Sequence, residues 1–200
     1  STPTLTLAAT SDAVSTTTIA LSYSPTSFPV GTTEVTWTAR DGAGNSATAT
    51  SSVTIVDTTA PFLTAPASIL TEATTASTTV SLGSPSVSDL VDPSPTVTNN
   101  APAAFSVGAT SVVWRATDSF SNSTTSPQVV TITDTTPPVI AAHTDIIAEA
   151  ASSTGASALF SVSATDSVDG VSAAVCSPAS GSVFALGSTT VTCTKDDARG

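Results

Sequence analysis

Two hundred residues with a formal net charge of -11, four Lys or Arg against fifteen Asp or Glu, lack the clustered cations that nucleic acid or an anionic membrane surface would require. Charged side chains are only 10% and aromatics 4%, while Ser and Thr exceed a third of the chain; yet Val, Ile, Leu, Phe and Trp recur too regularly for a disordered chain. No run of about eighteen apolar residues is present to insert in a membrane, and Ser1-Thr2-Pro3 opens no signal peptide.

In chain order, the first clear pattern is Phe28-Pro29-Val30-Gly31-Thr32-Thr33-Glu34-Val35-Thr36-Trp37. It returns as Phe105-Ser106-Val107-Gly108-Ala109-Thr110-Ser111-Val112-Val113-Trp114. After a nearly equal step it returns again as Phe184-Ala185-Leu186-Gly187-Ser188-Thr189-Thr190-Val191-Thr192-Cys193. The period, from Phe28 to Phe105 and from there to Phe184, is a small domain and not a solenoid turn, so the chain reads as a tandem array of beads, each able to close a modest core. Two joints, Asp57-Thr58-Thr59-Ala60-Pro61 and Asp134-Thr135-Thr136-Pro137-Pro138, are set apart by the same step as Phe28 and Phe105. Proline fixes φ and removes a backbone donor, which ends a strand and leaves a short, stiff connector. Domains are expected at residues 1–57, 58–134 and 135–200.

Thr and Val are β-branched and fit a pleated surface, so the predicted class is all-β. In the middle domain, strands are expected at residues 66–73, 78–82, 96–99, 110–117 and 127–133. Thr110, Val112, Trp114 and Ala116 alternate with Ser111, Val113, Arg115 and Thr117, the period of a strand that covers a core with one face. Val35, Trp37 and Ala39 repeat that register in the first domain, and Gly31, Gly108 and Gly187 mark the preceding turns. Short strands and turns at this spacing indicate antiparallel β-sandwiches. The first domain is expected to lack its first strand and the third its last. Excision from a longer repetitive protein explains both; strand donation between neighbouring subunits would also do so.

The segment Asp134-Thr135-Thr136-Pro137-Pro138-Val139-Ile140, followed by Ile146-Ile147-Ala148-Glu149-Ala150, Ala164-Thr165-Asp166-Ser167-Val168-Asp169-Gly170, Val175-Cys176-Ser177-Pro178 and Leu186-Gly187-Ser188-Thr189-Thr190-Val191-Thr192-Cys193-Thr194, closely resembles the hyalin repeat. Weaker copies cover the rest of the chain. Asp41-Gly42-Ala43-Gly44-Asn45 is similar to that family's Asp-x-x-Gly-Asn turn, whereas the second copy reads Asp118-Ser119-Phe120-Ser121-Asn122 and the third Asp197-Ala198-Arg199-Gly200. The resemblance implies tandem immunoglobulin-like antiparallel β-sandwiches in an elongated array, of the kind found in extracellular, surface-attached and adhesive proteins.

Cys176 and Cys193 align with Val97 and Trp114 in the second domain and with Ala20 and Trp37 in the first, as facing core positions would, and are expected to form a buried structural disulfide. Closing such a loop contributes roughly 3 kcal/mol through the unfolded state and places the chain outside a reducing cytosol. Trp37 and Trp114 are expected as core anchors, not as a sugar-stacking platform. His143 is the only histidine, and no Ser-His-Asp set recurs, which argues against catalysis.

Carboxylates are the only functional groups that repeat with the period: Asp57 and Asp134 at the joints, Glu72 and Glu149 on the strand beyond, Asp41, Asp118 and Asp197 in the turn after the long strand. Asp12, Asp89 and Asp166 also align, with Asp92 and Asp169 close by. Calcium needs several oxygen ligands converging on one sphere, so Asp41, Asp57, Glu72, Asp118, Asp134 and Glu149 are candidate ligands. Solvated turn acids are the plainer alternative, since Asp bonds its own backbone in turns. Asn122-Ser123-Thr124 is an N-glycosylation acceptor pattern. The expected function is that of a structural segment of an extracellular filament, stalk or cell-surface adhesin, self-associating into a fibre or surface array and requiring no cofactor. The alternatives are a glycan- or protein-binding module and an accessory segment of a secreted enzyme.

Overall fold

The computed structural model describes residues 10–11 and 19–198, which form two compact units, Ser1–Thr59 and Ala60–Gly200. Asp12, Arg199 and Gly200 lie outside the described residues. The first division falls at the first proline joint; the second joint lies inside the second unit. No helix is long and apolar enough to cross a membrane among the described residues.

The first unit holds β1 (Ala20–Ser24), β2 (Gly31–Arg40) and β3 (Ser46–Ile55) in one antiparallel sheet, order β1-β2-β3. In the second unit, the middle repeat supplies β4 (Phe62–Thr64), β5 (Ile69–Glu72), β6 (Ser77–Thr78), β7 (Ser86–Ser88), β8 (Thr96–Asn99), β9 (Phe105–Ser106), β10 (Gly108–Thr117) and β11 (Ser123–Thr133). The third repeat supplies β12 (Val139–Ile140), β13 (Ala156–Ser157), β14 (Ser163–Asp166), β15 (Gly170–Ala173), β16 (Val175–Ser177), β17 (Val183–Phe184) and β18 (Thr192–Thr194). The largest sheet has order β5-β11-β10-β8, with β5 joining β11 in parallel and the other pairs antiparallel; β4 pairs with β7 and β6 with β9. The molecule is thus all-β and mostly antiparallel, as immunoglobulin-like folds are.

Alternation along β10 is as the sequence predicts: Val112, Trp114 and Ala116 are buried and Ser111, Val113 and Arg115 exposed. Val130 and Ile132 of β11, Phe105 of β9 and Ala73 pack with Val112 and Trp114, and Leu63, Ile69, Leu82 and Val97 close around them. Pro127 sits inside β11 opposite Val113. Val113 directs its N–H to Asn100 Oδ1 (2.7 Å) and its carbonyl accepts from Asn100 N–H (3.3 Å), on the β8 side. Pro127 therefore occupies a ladder position where β10 needs no donor, and β5 begins pairing only at Val130.

One buried polar residue holds the core together. Gln128, 1% exposed, accepts a hydrogen bond from Trp114 Nε1 at 3.0 Å and donates from Nε2 to the carbonyls of Ala67 (2.8 Å) and Leu82 (3.0 Å). Those last bonds explain two shortfalls from the predicted strands. Residues 66–73 form a strand only over Ile69–Glu72, and 78–82 only over Ser77–Thr78, because the Ala67 and Leu82 carbonyls face a side chain instead of a ladder. The first unit repeats the motif in smaller form. Trp37 Nε1 donates to Ser51 Oγ at 2.8 Å, and Trp37 stacks against Tyr23 with ring centroids 5.3 Å apart, but it is only half-buried.

The acidic turns of the first two repeats share one geometry. Asp41 Oδ1 accepts from the N–H groups of Ala43 and Asn45, and Asp118 Oδ1 from those of Phe120 and Asn122; Asn45 and Asn122 each donate Nδ2 to the other carboxylate oxygen at 2.8 Å. Ser121 takes the left-handed conformation (φ 72°) that Gly44 takes (φ 95°), so the side-chain bonds hold the turn even without glycine.

Cys176 and Cys193 stand directly opposite on β16 and β18 and form a disulfide. It is half-buried, not buried as expected. In the middle repeat Val97 faces Ala116 and Trp114 faces Asn99, so the third repeat is paired with a two-residue offset. An offset of two preserves which face each side chain occupies. No counterpart of β11 lies among the described residues of the third repeat, and Ile146, the counterpart of Ile69, is 53% exposed outside any strand. The main core therefore belongs to the middle repeat.

Trp114→Ala should cost about 3–5 kcal/mol in chemical denaturation followed by circular dichroism, and Trp37→Ala distinctly less, because Trp37 is half exposed. Gln128→Leu should cost about 1–3 kcal/mol for each of the three polar groups it strands.

Candidate functional site

The periodic carboxylates fall into three kinds once placed. Asp41 and Asp118 bind their own turns through both oxygens, and the Asn45 side chain, more than any other partner, lowers the Asp41 pKa. Asp57 accepts from Thr59 N–H at 3.1 Å within the first unit. Asp92 accepts from Ser94 N–H and Ser119 N–H, both at 2.8 Å, and the Ser94 bond is the main cause of its lowered pKa. Each of these carboxylates accepts from backbone N–H groups near it.

Glu72 is the second kind. It closes β5 beside the end of β11, and its Oε1 accepts from Thr135 N–H at 2.7 Å and from Thr136 Oγ1 at 3.3 Å. Its Oε2 accepts from the hydroxyls of Thr135 (3.2 Å) and Thr133 (3.3 Å). The Thr135 N–H leads the causes that lower its pKa. Its sequence counterpart Glu149 is exposed and makes no such set among the described residues.

The third kind gathers at the second joint. Asp134, Asp169 and Asp197 each present a carboxylate oxygen within 4.8 Å of the others, with Asp134 buried, Asp197 half-buried and Asp169 exposed. Asp134 is the one of the candidates Glu72, Asp134 and Glu149 that enters this trio. The turn after β14 places its second member. Asp166 Oδ1 accepts from the N–H groups of Val168 (2.7 Å) and Asp169 (2.9 Å), which turns Val168 into the middle repeat's core and Asp169 toward the acids. Asp169 Oδ2 in turn accepts from Ala198 N–H, tying down the segment that carries Asp197. The same tie joins Asp92 to Ser119 one repeat earlier. Burial foremost, then the charges of Asp197, Asp166 and Asp169, raise the Asp134 pKa.

Such a concentration of carboxylates is chemically suited to a hard divalent cation, which takes oxygen ligands. It offers no nucleophile with a positioned base. His143 is exposed in an irregular stretch. Asn122 is half-buried with its amide held against Asp118. Gln128 is the residue that sequence reasoning overlooked. The available signal was a polar side chain at an inward position of an alternating strand, following Trp114 at the same separation at which Ser51 follows Trp37.

The all-β, mostly antiparallel sheets are consistent with immunoglobulin-like folds. Residues 2–55 match the HYR domain family, although the motifs most like a hyalin repeat are densest in the third repeat. Two curated relatives are both named hyalin. The one from Lytechinus variegatus is 37% identical over 137 residues, 60% of this chain and 24% of its own length. The one from Strongylocentrotus purpuratus is 33% identical over 185 residues, 86% of this chain and 15% of its own length. The chain is thus similar to both hyalins, with an HYR match over residues 2–55, and it spans less than a quarter of these relatives.

An acid whose pKa is higher in the fold than in the unfolded chain favours folding fully below its unfolded pKa, and that contribution is lost as pH rises through the folded value. Asp134→Asn should therefore melt at a higher temperature than the parent above the carboxylate range when chelator is present, with the two converging below about pH 3.5. Thermal melts across pH test this; a variant less stable than the parent at neutral pH contradicts it.

Proposed function

We propose that the chain is a non-enzymatic structural segment of an extracellular, adhesive hyalin-repeat protein, in which consecutive sandwich modules space and bind neighbouring material. The observation that carries this reading is the repetition itself: the tryptophan anchor and the acidic turn recur together while no reactive group recurs with them. Similarity to two proteins named hyalin supports it. The disulfide agrees with an oxidising, extracellular setting. The expected mode of partnership is self-association of such repeats. Electron microscopy of the protein at rising concentration should show regular assemblies whose spacing is a multiple of one module; uniformly monomeric particles would remove the self-association part.

A second element of the proposal is calcium at the joint between the middle and third repeats, held by Asp134, Asp169 and Asp197. The clustering of three carboxylates favours it, because a divalent cation would relieve the like-charge repulsion that, after burial, raises the Asp134 pKa. Extracellular modules commonly bind calcium with dissociation constants of about 0.1–1 mM. With a constant of about 1 mM, about 10 mM calcium would stabilise the second unit by about 1.4 kcal/mol. Calorimetry should show a melting transition raised by calcium and returned by chelator, with the response lost in Asp134→Asn/Asp197→Asn. Identical transitions with calcium and with chelator exclude the site.

A further inference from the structure

We infer that Glu72 is a lock for the connector between the middle and third repeats, and that the Thr-Thr of the joint is the part it holds. Its carboxylate receives four hydrogen bonds, one from the Thr135 backbone and three from the hydroxyls of Thr133, Thr135 and Thr136. Two connector positions, Thr135 and Thr136, together with Thr133 at the end of β11, are thus fixed to the end of a different strand that is remote from them in sequence.

The placement has a physical logic. β5 and β11 run parallel, so both finish at the same end of the sheet, and Glu72 faces Thr133 in the last rung. Beyond Thr133 the ladder adds one further bond, from Ala73 N–H to the Thr133 carbonyl at 2.7 Å. The connector then leaves the sheet, and Pro137 and Pro138 cannot donate backbone hydrogen bonds. The Thr135 N–H and the hydroxyls before those prolines would otherwise face water. An ionised carboxylate is an acceptor only, with about four lone-pair sites, and it meets four donors, of which the Thr133 hydroxyl is shared with the Thr71 carbonyl at 3.4 Å. Hydrogen bonds to a charged group are roughly twice as strong as neutral ones. Glu72 therefore sets the direction in which the chain leaves β11, and through it the positions of Asp134 and the third repeat.

This assignment gives the recurrence of Asp-Thr-Thr before proline a reason of its own. At the second joint the threonines serve as donors to an acid on the parallel strand, while Asp134 meets the carboxylate cluster. The role is a positioning one, and it does not depend on whether the chain assembles or binds calcium.

Amide hydrogen exchange on the full chain, measured in chelator, provides the test. Glu72→Gln keeps the side-chain shape but replaces one acceptor oxygen with an NH2 donor and removes the charge. Exchange at Thr135 should accelerate by about tenfold or more, while Val112, Val130 and Ile132 keep their protection. Thr135→Val, which removes only the hydroxyl, should accelerate it less, and Glu149→Gln should leave it unchanged. Unchanged exchange at Thr135 in Glu72→Gln overturns the inference. Acceleration spread equally over Val112, Val130 and Ile132 also overturns it, since Glu72 would then support the whole fold and not the connector.

Discussion

The indole N–H of Trp114 is buried, and a buried donor left without a partner would undo much of what burying the ring contributes. Gln128 answers it and, through its own amide, secures the Ala67 and Leu82 carbonyls of two segments that make no ladder there. A single side chain thus satisfies three polar groups drawn from three parts of the middle repeat. The apolar surroundings of Phe105, Val112, Val130 and Ile132 make these bonds strong and their loss expensive. In the first unit Ser51 reaches the Trp37 indole, but it is short and supplies no such amide bridge. Where cysteine stands for tryptophan in the third repeat, the donor is absent and a disulfide takes over the cross-strand tie.

The carboxylates divide between acids that the fold satisfies and acids that it crowds. Glu72, Asp41 and Asp92 have lowered pKa values because N–H and hydroxyl groups point at them. Their contribution is present above the unfolded pKa and is lost as pH falls through the folded value. Asp134 has the opposite shift, from burial and from like charges. The two kinds sit on either side of one peptide bond, since Thr135 N–H binds Glu72 while Asp134 meets Asp169 and Asp197. Acidification therefore weakens the hold on the connector while relieving the crowding beside it.

Much of the architecture was legible because it was written in alternation and recurrence. The inward positions of β10 follow from period two alone, and the division at the first joint from proline and period. The ends of the first strands were not legible, because Gln128 captures carbonyls that local pattern assigns to a ladder. The short β4 and β7 were also missed; three residues such as Phe62–Thr64 carry too little pattern to stand out. Among the carboxylates, recurrence picks out residues but not their surroundings. Asp118 and Asp134 are equally periodic, yet one accepts three hydrogen bonds from its own turn and the other faces Asp169 and Asp197, brought in from the following repeat. Such distinctions depend on tertiary neighbours.

Val168 belongs by sequence to the third repeat, yet it is buried, 7% exposed, in the cluster that contains Trp114. The middle repeat thus finishes its interior with an atom group borrowed from the next module. In linear arrays, stability is the sum of what each module holds alone and what adjoining modules share. A valine lent across the joint shifts weight to the shared part, tying the stability of the middle repeat to that of the third.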